Sequence, residues 1–286
     1  MRHGTHEVAA GEEIMSLVAI PGYKIQEKIG EGGMGAVYRA TQLSLNRPVA
    51  IKMLRSDMAR DPVSVAQFKL EANSVAHLKH NNIVQIIAAG EKEGVYYFIM
   101  EYIGGYSVAE WLDRKGRISV EDALLVATSV ARGLNYAWER GRLVHCDIKP
   151  GNVMIDEDGT IKLADFSGMR VGEDSPDQQL VKSITIGTPH YMAPEQALGH
   201  EDVDLRADMY ALGCLLYHLV TGEAPFEGRG TSEVMQAQQQ EFVDNPLEHR
   251  PGLPRGVAVL IRKLMARDRE QRYRTWTGVL EDLSRV

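Results

Sequence analysis

The residues best suited to chemistry in this 286-residue chain lie between Leu143 and Arg170. Asp147, Lys149 and Asn152 occur together there, and a second aspartate, Asp165, follows two short apolar runs. Carboxylate and amide oxygens are hard ligands, of the kind that Mg²⁺ takes while it keeps water and phosphate partners. Two acids, an amide and a lysine on neighbouring loops therefore favour a magnesium site that handles phosphate groups.

A β-hairpin is predicted to carry these loops. The apolar runs Val153–Ile155 and Ile161–Leu163 flank the sequence Asp156-Glu157-Asp158-Gly159, whose composition is typical of a turn. We expect the hairpin to hold the loop 147–152 at one end and Asp165 at the other.

A glycine-rich segment near the N-terminus is a candidate for phosphate binding. Lys24–Ile29 predicts a strand, Gly30, Gly32 and Gly35 follow it, and Val37–Ala40 continues as a second strand. Glycines let a backbone approach phosphate oxygens without a Cβ in the way. The same G-x-G-x-x-G spacing marks dinucleotide-binding turns, but there it opens a helix, so the second strand favours a phosphate-covering lid. A glycine-rich hairpin without a ligand is the alternative.

A buried lysine is predicted beneath this lid. Pro48–Met53 predicts the next strand, in which Ala50 and Lys52 share one face. The helix that follows carries Glu71 on the same apolar stripe as Phe68. A carboxylate on an inward stripe is costly unless it is paired. We therefore predict an ion pair between Lys52 and Glu71.

Composition excludes several classes of protein. The net charge of −7 argues against nucleic acid or an anionic membrane as the main partner. Cys146 and Cys214 lie far apart in the sequence and indicate neither a zinc site nor a disulfide framework, which fits a reducing, cytoplasmic compartment. The longest apolar run, Ala211–Val220, is too short to span a bilayer. We expect a cytoplasmic protein, or the cytosolic domain of a longer membrane-anchored one.

Together these motifs resemble the catalytic domain of the protein kinases, and in local sequence the eukaryotic-like serine/threonine kinases of bacteria. The motifs that carry the resemblance are the glycine-rich segment, Val49-Ala50-Ile51-Lys52, Glu71, Asp147 with Asn152, Asp165-Phe166, and Ala193-Pro194-Glu195. The resemblance implies an α+β, bilobal fold after a flexible leader over residues 1–20. The kinase domain would occupy 21–286, with a small antiparallel-sheet N-lobe and one helix over about 21–103, and a mainly helical C-lobe over about 104–286.

The resemblance also implies ATP and Mg²⁺ as cofactors and gives each charged residue a role. Asp147 would be the catalytic base, and Lys149 would neutralise charge on the phosphoryl group in transfer. Lys52, oriented by Glu71, would reach the α- and β-phosphates. The implied metal ligands are Asn152 and Asp165. The implied nucleotide-binding residues are Gly30, Gly32, Gly35, Val37, Ala50, Lys52, Met100 as gatekeeper, the backbone at Glu101 and Ile103, and Met154.

The substrate class follows from the same resemblance. The Asp-x-Lys-Pro-x-Asn form of the catalytic loop and Thr188 resemble the serine/threonine-specific branch, which implies protein substrates with hydroxyl acceptors. An activation loop over 170–186 would include Ser183 and Thr185 as sites of autophosphorylation. Three residues have implied structural roles: Asp208 at the catalytic-loop backbone, and the pair Glu195 and Arg272. His145 is expected to be packed and to have no chemical role.

Two positions depart from the family pattern. Cys146 replaces the arginine that usually binds a phosphorylated loop residue, so this is a non-RD pattern, and loop phosphorylation is not expected to be the main switch. Ser167 replaces a glycine, and a positive φ there would cost roughly 1–2 kcal/mol.

Three functions therefore compete. An active serine/threonine kinase in signalling is favoured because every charged catalytic group is present. A nucleotide-binding pseudokinase that acts as a scaffold is the alternative raised by Ser167. A small-molecule phosphotransferase is disfavoured, because the complete activation segment through Glu195 serves protein substrates.

Overall fold

The chain divides into two compact units in the computed structural model. The structure describes residues 19–171, 188–241 and 243–286, so Ser183, Thr185 and the leader up to residue 18 lie outside the described residues. The first unit, called the N-lobe below, extends to Lys79 and continues over Val84–Ile103. The second unit, the C-lobe, contains His80–Ile83 and Gly104–Val286.

The N-lobe is an antiparallel sheet with one α-helix. Its strands are β1 (Tyr23–Glu31), β2 (Gly35–Gln42), β3 (Arg47–Leu54), β4 (Ile86–Lys92) and β5 (Val95–Glu101), in the spatial order β1-β2-β3-β5-β4. Helix α1 (Pro62–Ala76) begins at Asp61, whose carboxylate accepts from the backbone N–H groups of Val63 and Ser64 at 3.2 and 3.0 Å. That side chain satisfies two of the four N–H groups that a helix start leaves without partners.

The two faces of β3 have different neighbours, as its alternation predicts. Val49, Ile51 and Met53 lie in an apolar cluster with residues of β2 and β5, whereas Lys52 belongs to the opposite face. Ile20, which we placed at the end of the leader, is only 2% exposed and packs in this cluster. Its apolar side chain therefore belongs to the folded unit and not to a flexible leader.

The C-lobe is mainly helical. Its helices are α2 (Val108–Lys115), α3 (Val120–Gly141), α4 (Pro194–Ala197), α5 (Leu205–Thr221), α6 (Thr231–Gln240), α7 (Pro246–His249), α8 (Arg255–Leu264) and α9 (Trp276–Leu283). Two small sheets accompany them: β6 (Tyr106–Ser107), β8 (Val153–Ile155) and β9 (Ile161–Leu163) form one, and β7 (Leu143–Val144) pairs with β10 (Arg170–Val171) in the other. The predicted hairpin and the predicted α+β class are both confirmed.

Helix α5 is the centre of the C-lobe core. Nearly all of its residues are buried, and Gly222 ends it with a φ of 89°, a left-handed conformation that glycine adopts without strain. Within the described ranges, no helix of either unit is long and apolar enough to cross a membrane.

A buried ion pair anchors the closing motif of the activation segment. Arg272 Nη1 and Nη2 donate to Glu195 Oε1 and Oε2 at 2.6 and 2.9 Å, and the Arg272 side chain is 0% exposed. The same guanidinium donates to the carbonyls of Ala266 and Arg206 at 2.7 and 2.8 Å. Bidentate geometry with further acceptors is what allows two charges to be buried together. The predicted pair is confirmed.

The glycine-rich segment contains glycines of two kinds. A Cβ on Gly35 would lie 2.1 Å from the carbonyl oxygen of Met53, because β2 and β3 approach closely there. A Cβ on Gly32 would meet nothing within 4 Å, and one on Gly30 would meet only the Val37 Cβ at 3.8 Å. The fold therefore requires glycine at position 35 but not at 30 or 32.

We expect Gly35→Ala to lower the free energy of unfolding by at least about 2 kcal/mol, because the added methyl group overlaps backbone that cannot move cheaply. Gly32→Ala is the matched control and should change it by less than about 0.5 kcal/mol. Urea denaturation of both variants beside the parent provides the measurement. Equal stability of the two variants would show that the backbone of β3 shifts at Met53 to make room for the methyl group, and that the fold does not require glycine at position 35.

Candidate active site

The N-lobe contributes a buried lysine and its carboxylate partner. Lys52 Nζ on β3 lies 2.9 and 3.1 Å from the two carboxylate oxygens of Glu71 on α1. Both side chains are less than a tenth exposed, and the Lys52 ammonium lies 5.5 Å from the centre of the Phe98 ring. The attraction between the two charges thus compensates for their loss of hydration. The predicted ion pair is confirmed.

Four of the residues predicted to contact a nucleotide lie on one face of the N-lobe sheet. Val37 lies opposite Lys52 in the β2–β3 pairing, and Ala50 lies opposite Met100 in the β3–β5 pairing. Directly opposed residues of an antiparallel pair share a face, and so do residues two apart on one strand. Val37, Ala50, Lys52 and Met100 therefore line a single surface, which we call the nucleotide face.

A short connector follows β5 at the end of the N-lobe. The backbone N–H of Glu101 donates to the carbonyl of Gln85 at 3.0 Å, and its side chain accepts from the Gln85 N–H at 2.7 Å. Both the N–H and the side chain of Glu101 are therefore already bonded to Gln85. Ile103 is the last residue of this unit, and Met154 belongs to the C-lobe, in the middle of β8.

In the C-lobe, three donors converge on the carboxylate of Asp147. Lys149 Nζ lies 2.7 Å from Oδ2, Asn152 Nδ2 lies 3.1 Å from the same oxygen, and the backbone N–H of Thr188 donates to Oδ1 at 3.3 Å. The Asp147 side chain is 11% exposed. Donors on both oxygens fix the carboxylate plane, and the lysine makes the contact charge-assisted. The sequence analysis did not predict the contact from Thr188.

Asn152 and Asp165 lie at the same end of the hairpin. Val153 pairs with Leu163, so Asn152 and Ala164, which flank this pair, are adjacent. The N–H of Ala164 donates to the carbonyl of Asn152 at 2.8 Å. The expectation of opposite ends was wrong, because an antiparallel hairpin returns the residue after its second strand to the residue before its first.

The donors at this end of the hairpin suit Mg²⁺. Asn152 Nδ2 donates to both the carbonyl and the carboxylate of Asp147, so Oδ1 is the atom of this amide that could ligate a cation. The carboxylate of Asp165 would be the second ligand. In the described parts of the chain no three His, Cys, Asp or Glu side chains cluster as a metal site. One amide oxygen and one carboxylate fit Mg²⁺, which usually keeps water and phosphate ligands.

A buried carboxylate on α5 holds the catalytic loop. Asp208 accepts the backbone N–H of His145 at 2.7 Å and that of Cys146 at 2.8 Å, one on each oxygen. Asp208 is 2% exposed, and desolvation raises the pKa of its carboxyl to about 7, against the two hydrogen bonds. The role predicted for Asp208 is confirmed.

His145 is packed, as expected, and joins the loop to the second aspartate. Its ring lies 4.5 Å from the ring of Phe166, and Nε2 donates to the carbonyl of Ala164 at 3.2 Å. The N–H of Asp147 donates to Nδ1 at 3.3 Å, so the proton of the ring belongs on Nε2. Burial lowers the pKa of His145 and favours this neutral form.

Asn82 is a structural residue that the sequence analysis did not predict. Its side-chain amide donates to the carbonyl of Ile161 at 2.7 Å, and its carbonyl accepts the N–H of Leu163 at 2.9 Å. The segment His80–Ile83 therefore belongs to the C-lobe, where it pairs with β9. Two consecutive asparagines suggest a turn, but nothing local indicates its distant partner.

The two departures from the family pattern have distinct geometries. Cys146 has a φ of 64°, a left-handed conformation, and burial raises the pKa of its thiol well above the ordinary value. A neutral thiol thus lies at the position where the resemblance implies an arginine. Ser167 is not among the described residues with positive φ, whereas Asp165 is, at 58°. The strain considered for Ser167 is therefore absent, and the left-handed residue lies two positions earlier.

Comparison with known proteins agrees with these motifs. The model of the protein kinase domain matches residues 23–282, and so the chain belongs to the protein kinase domain family.

Its relatives within that family include bacterial serine/threonine kinases. It is 37% identical over 270 residues to the probable serine/threonine-protein kinase PknB of Bifidobacterium longum, covering 91% of this chain and 39% of that protein. It is 36% identical over 268 residues to the serine/threonine-protein kinase PknB of Mycobacterium tuberculosis, covering 92% and 42%. The chain thus spans about two fifths of the length of these relatives, and its resemblance is to the bacterial type of catalytic domain.

The buried carboxyl of Asp208 predicts a pH dependence of stability. Its pKa is raised from 3.8 to about 7, so the folded chain binds more protons between these values, and this stabilisation is lost as pH rises through them. Asp208→Asn has no such titration. We expect the stability advantage of the parent over this variant to shrink by about 2–3 kcal/mol between pH 5 and pH 8.

Denaturant unfolding at each pH measures this advantage. Asp158→Asn is the control: Asp158 is exposed, and a hydrogen bond from the Thr160 backbone lowers its pKa, so its difference from the parent should stay constant above pH 5. A constant difference for Asp208→Asn as well would contradict the raised pKa.

Proposed function

We propose that this chain is a Mg·ATP-dependent protein kinase domain that transfers the γ-phosphoryl group to serine and threonine hydroxyls. The observation that carries the proposal is the Asp147 carboxylate, oriented by Lys149 and Asn152 at 2.7 and 3.1 Å. Such an arrangement suits a general base that must lie at a fixed distance from a hydroxyl proton. The matched relatives are named as serine/threonine-protein kinases, which supports the substrate class.

Each residue then has a definite task. Asp147 accepts the hydroxyl proton while the hydroxyl oxygen bonds to the γ-phosphorus and the bond to the β–γ bridging oxygen breaks, which releases ADP. Lys149 offsets negative charge on the group in transfer. Lys52, held by Glu71, binds the α- and β-phosphates. Asn152 and Asp165 would hold Mg²⁺, which would supply positive charge at the phosphates.

The glycine-rich segment supports nucleotide binding. Neither Gly30 nor Gly32 is required by packing, since a Cβ at either position has room. Both have ordinary negative or extended φ values, so backbone strain does not require glycine either. Close approach of a ligand's phosphate oxygens is then the remaining physical reason for small residues there. The base would lie on the nucleotide face near Ala50 and Met100, with backbone contacts from Glu101 and Ile103.

Protein substrates and a cytoplasmic signalling role complete the proposal. The catalytic-loop sequence and Thr188, whose N–H contacts Asp147, favour protein hydroxyls as acceptors. Ser183 and Thr185 are the proposed autophosphorylation sites. The free cysteines Cys146 and Cys214 fit a reducing compartment.

Two substitutions test the catalytic assignment. Asp147→Asn keeps the shape of the side chain but removes the base, and we expect phosphate transfer from labelled ATP to fall by a factor of about 10²–10⁴ with nucleotide binding retained. Lys52→Met should abolish transfer through loss of phosphate binding.

Asp158→Asn, in the hairpin turn, is the control and should transfer at the parent's rate. Thermal unfolding of each variant shows whether the fold survives. Transfer by purified protein that persists in both active-site variants would refute the assignment, and phosphotyrosine as the main product would refute the serine/threonine part.

Ser167 decides between the kinase and a nucleotide-binding pseudokinase scaffold. Because Ser167 does not have a positive φ, replacing it with glycine relieves no backbone strain. We expect Ser167→Gly to change Mg·ATP affinity and transfer rate by less than about tenfold, or ~1.4 kcal/mol. Isothermal titration calorimetry measures the Mg·ATP affinity, and steady-state kinetics measure the transfer rate. A larger gain in both would show that the serine holds the domain inactive, as the pseudokinase alternative requires.

A further inference from the structure

An arginine shares the nucleotide face with the residues assigned above. Arg39 lies opposite Ala50 in the β2–β3 pairing, and Ala50 lies opposite Met100. Arg39 is also two positions beyond Val37 on β2, which places both on one side of the sheet. A long cationic side chain therefore lies on the part of the nucleotide face that would hold the nucleotide base, on the strand next to that of Ala50.

Two contacts fix the guanidinium of Arg39. Its Cζ lies 5.1 Å from the centre of the Tyr102 ring, within the range of a cation–π contact. Nη1 lies 3.3 Å from Glu27 Oε1, and both of these side chains are more than a third exposed, so this ion pair is screened and contributes little stability. The contact with Tyr102 is the more informative one, because Tyr102 lies in the connector between Glu101 and Ile103.

One nitrogen of Arg39 lacks a partner. Nε is buried and has no hydrogen-bond acceptor within the part of the chain that the structure describes. Buried polar groups are nearly always paired, and an orphaned donor calls for an explanation. On a face that binds nucleotide, ring nitrogens of the base and oxygens of the ribose are acceptors that a ligand would bring.

We infer that Arg39 is a positioning residue for the base of the bound nucleotide, an inference that rests on the proposed function. Through its contact with Tyr102 it restrains the connector, whose backbone atoms at Glu101 and Ile103 would bond to the base edge. Its buried Nε–H gains an acceptor when nucleotide binds. Arg39 touches none of the groups assigned to phosphoryl transfer, so it acts on nucleotide affinity and not on the chemical step.

The test separates affinity from turnover. For Arg39→Ala we expect a three- to tenfold rise in the Kd of Mg·ADP and in the KM for ATP, with kcat and the KM for a peptide substrate within twofold of the parent. Arg39→Lys keeps a cation above the ring and should recover part of the loss. Tyr102→Leu removes only the contact with the ring and should raise the Kd less than Arg39→Ala. The double variant should bind Mg·ADP no worse than Arg39→Ala, because the effect of Tyr102 acts through Arg39.

Arg140 supplies the matched control. It is an exposed arginine whose Cζ lies 5.5 Å from the Tyr136 ring, far along the chain in α3 of the C-lobe, and Arg140→Ala should bind Mg·ADP like the parent. A parent that binds no nucleotide would overturn the proposed function itself. A parent that binds, with Arg39→Ala binding equally well or losing only kcat, would overturn this inference alone.

Discussion

The catalytic loop depends on a carboxylate that is costly to bury. Asp208 lies within helix α5, nearly all of whose residues are buried, and it accepts the backbone N–H groups of His145 and Cys146. One of them belongs to Cys146, whose left-handed backbone would otherwise be unfavourable for a residue with a Cβ. The energy of a tightly packed core thus maintains a strained loop conformation.

Short-range contacts with that loop then position the other residues of the candidate site. His145 packs on Phe166 and bonds to the backbone of Ala164, so the position of Asp165 is tied to that of the loop. Asn152 then bonds to Asp147 through its amide nitrogen, which turns the amide oxygen into the candidate metal ligand. A single orientation, that of the loop backbone, therefore sets both the candidate base and the candidate metal site.

Local patterns were enough to predict those parts of the fold and site that one element encodes. The alternation of β3 predicted which face would bury Lys52, and the cost of an unpaired inward carboxylate predicted its contact with Glu71. The contact from the backbone of Thr188 to Asp147 leaves no mark on residue type and was not predicted, whereas the contact of Asp208 with the loop backbone was expected only from the family resemblance. Residue type does not show backbone angles either. A positive φ was considered at Ser167, but the residue of this segment that has a positive φ is Asp165.

The four residues His80–Ile83 have a consequence for how such a domain can be divided. They are flanked on both sides by N-lobe sequence, yet they pair with β9 in the C-lobe. Neither unit is therefore a single continuous stretch of the chain. A cut after Ile103 would carry a piece of one unit away with the other and leave the backbone N–H of Leu163 without its acceptor. In terms of descent, exchange of one lobe between two such proteins by a single crossover would also exchange the residues that bond to the hairpin bearing the candidate metal ligands.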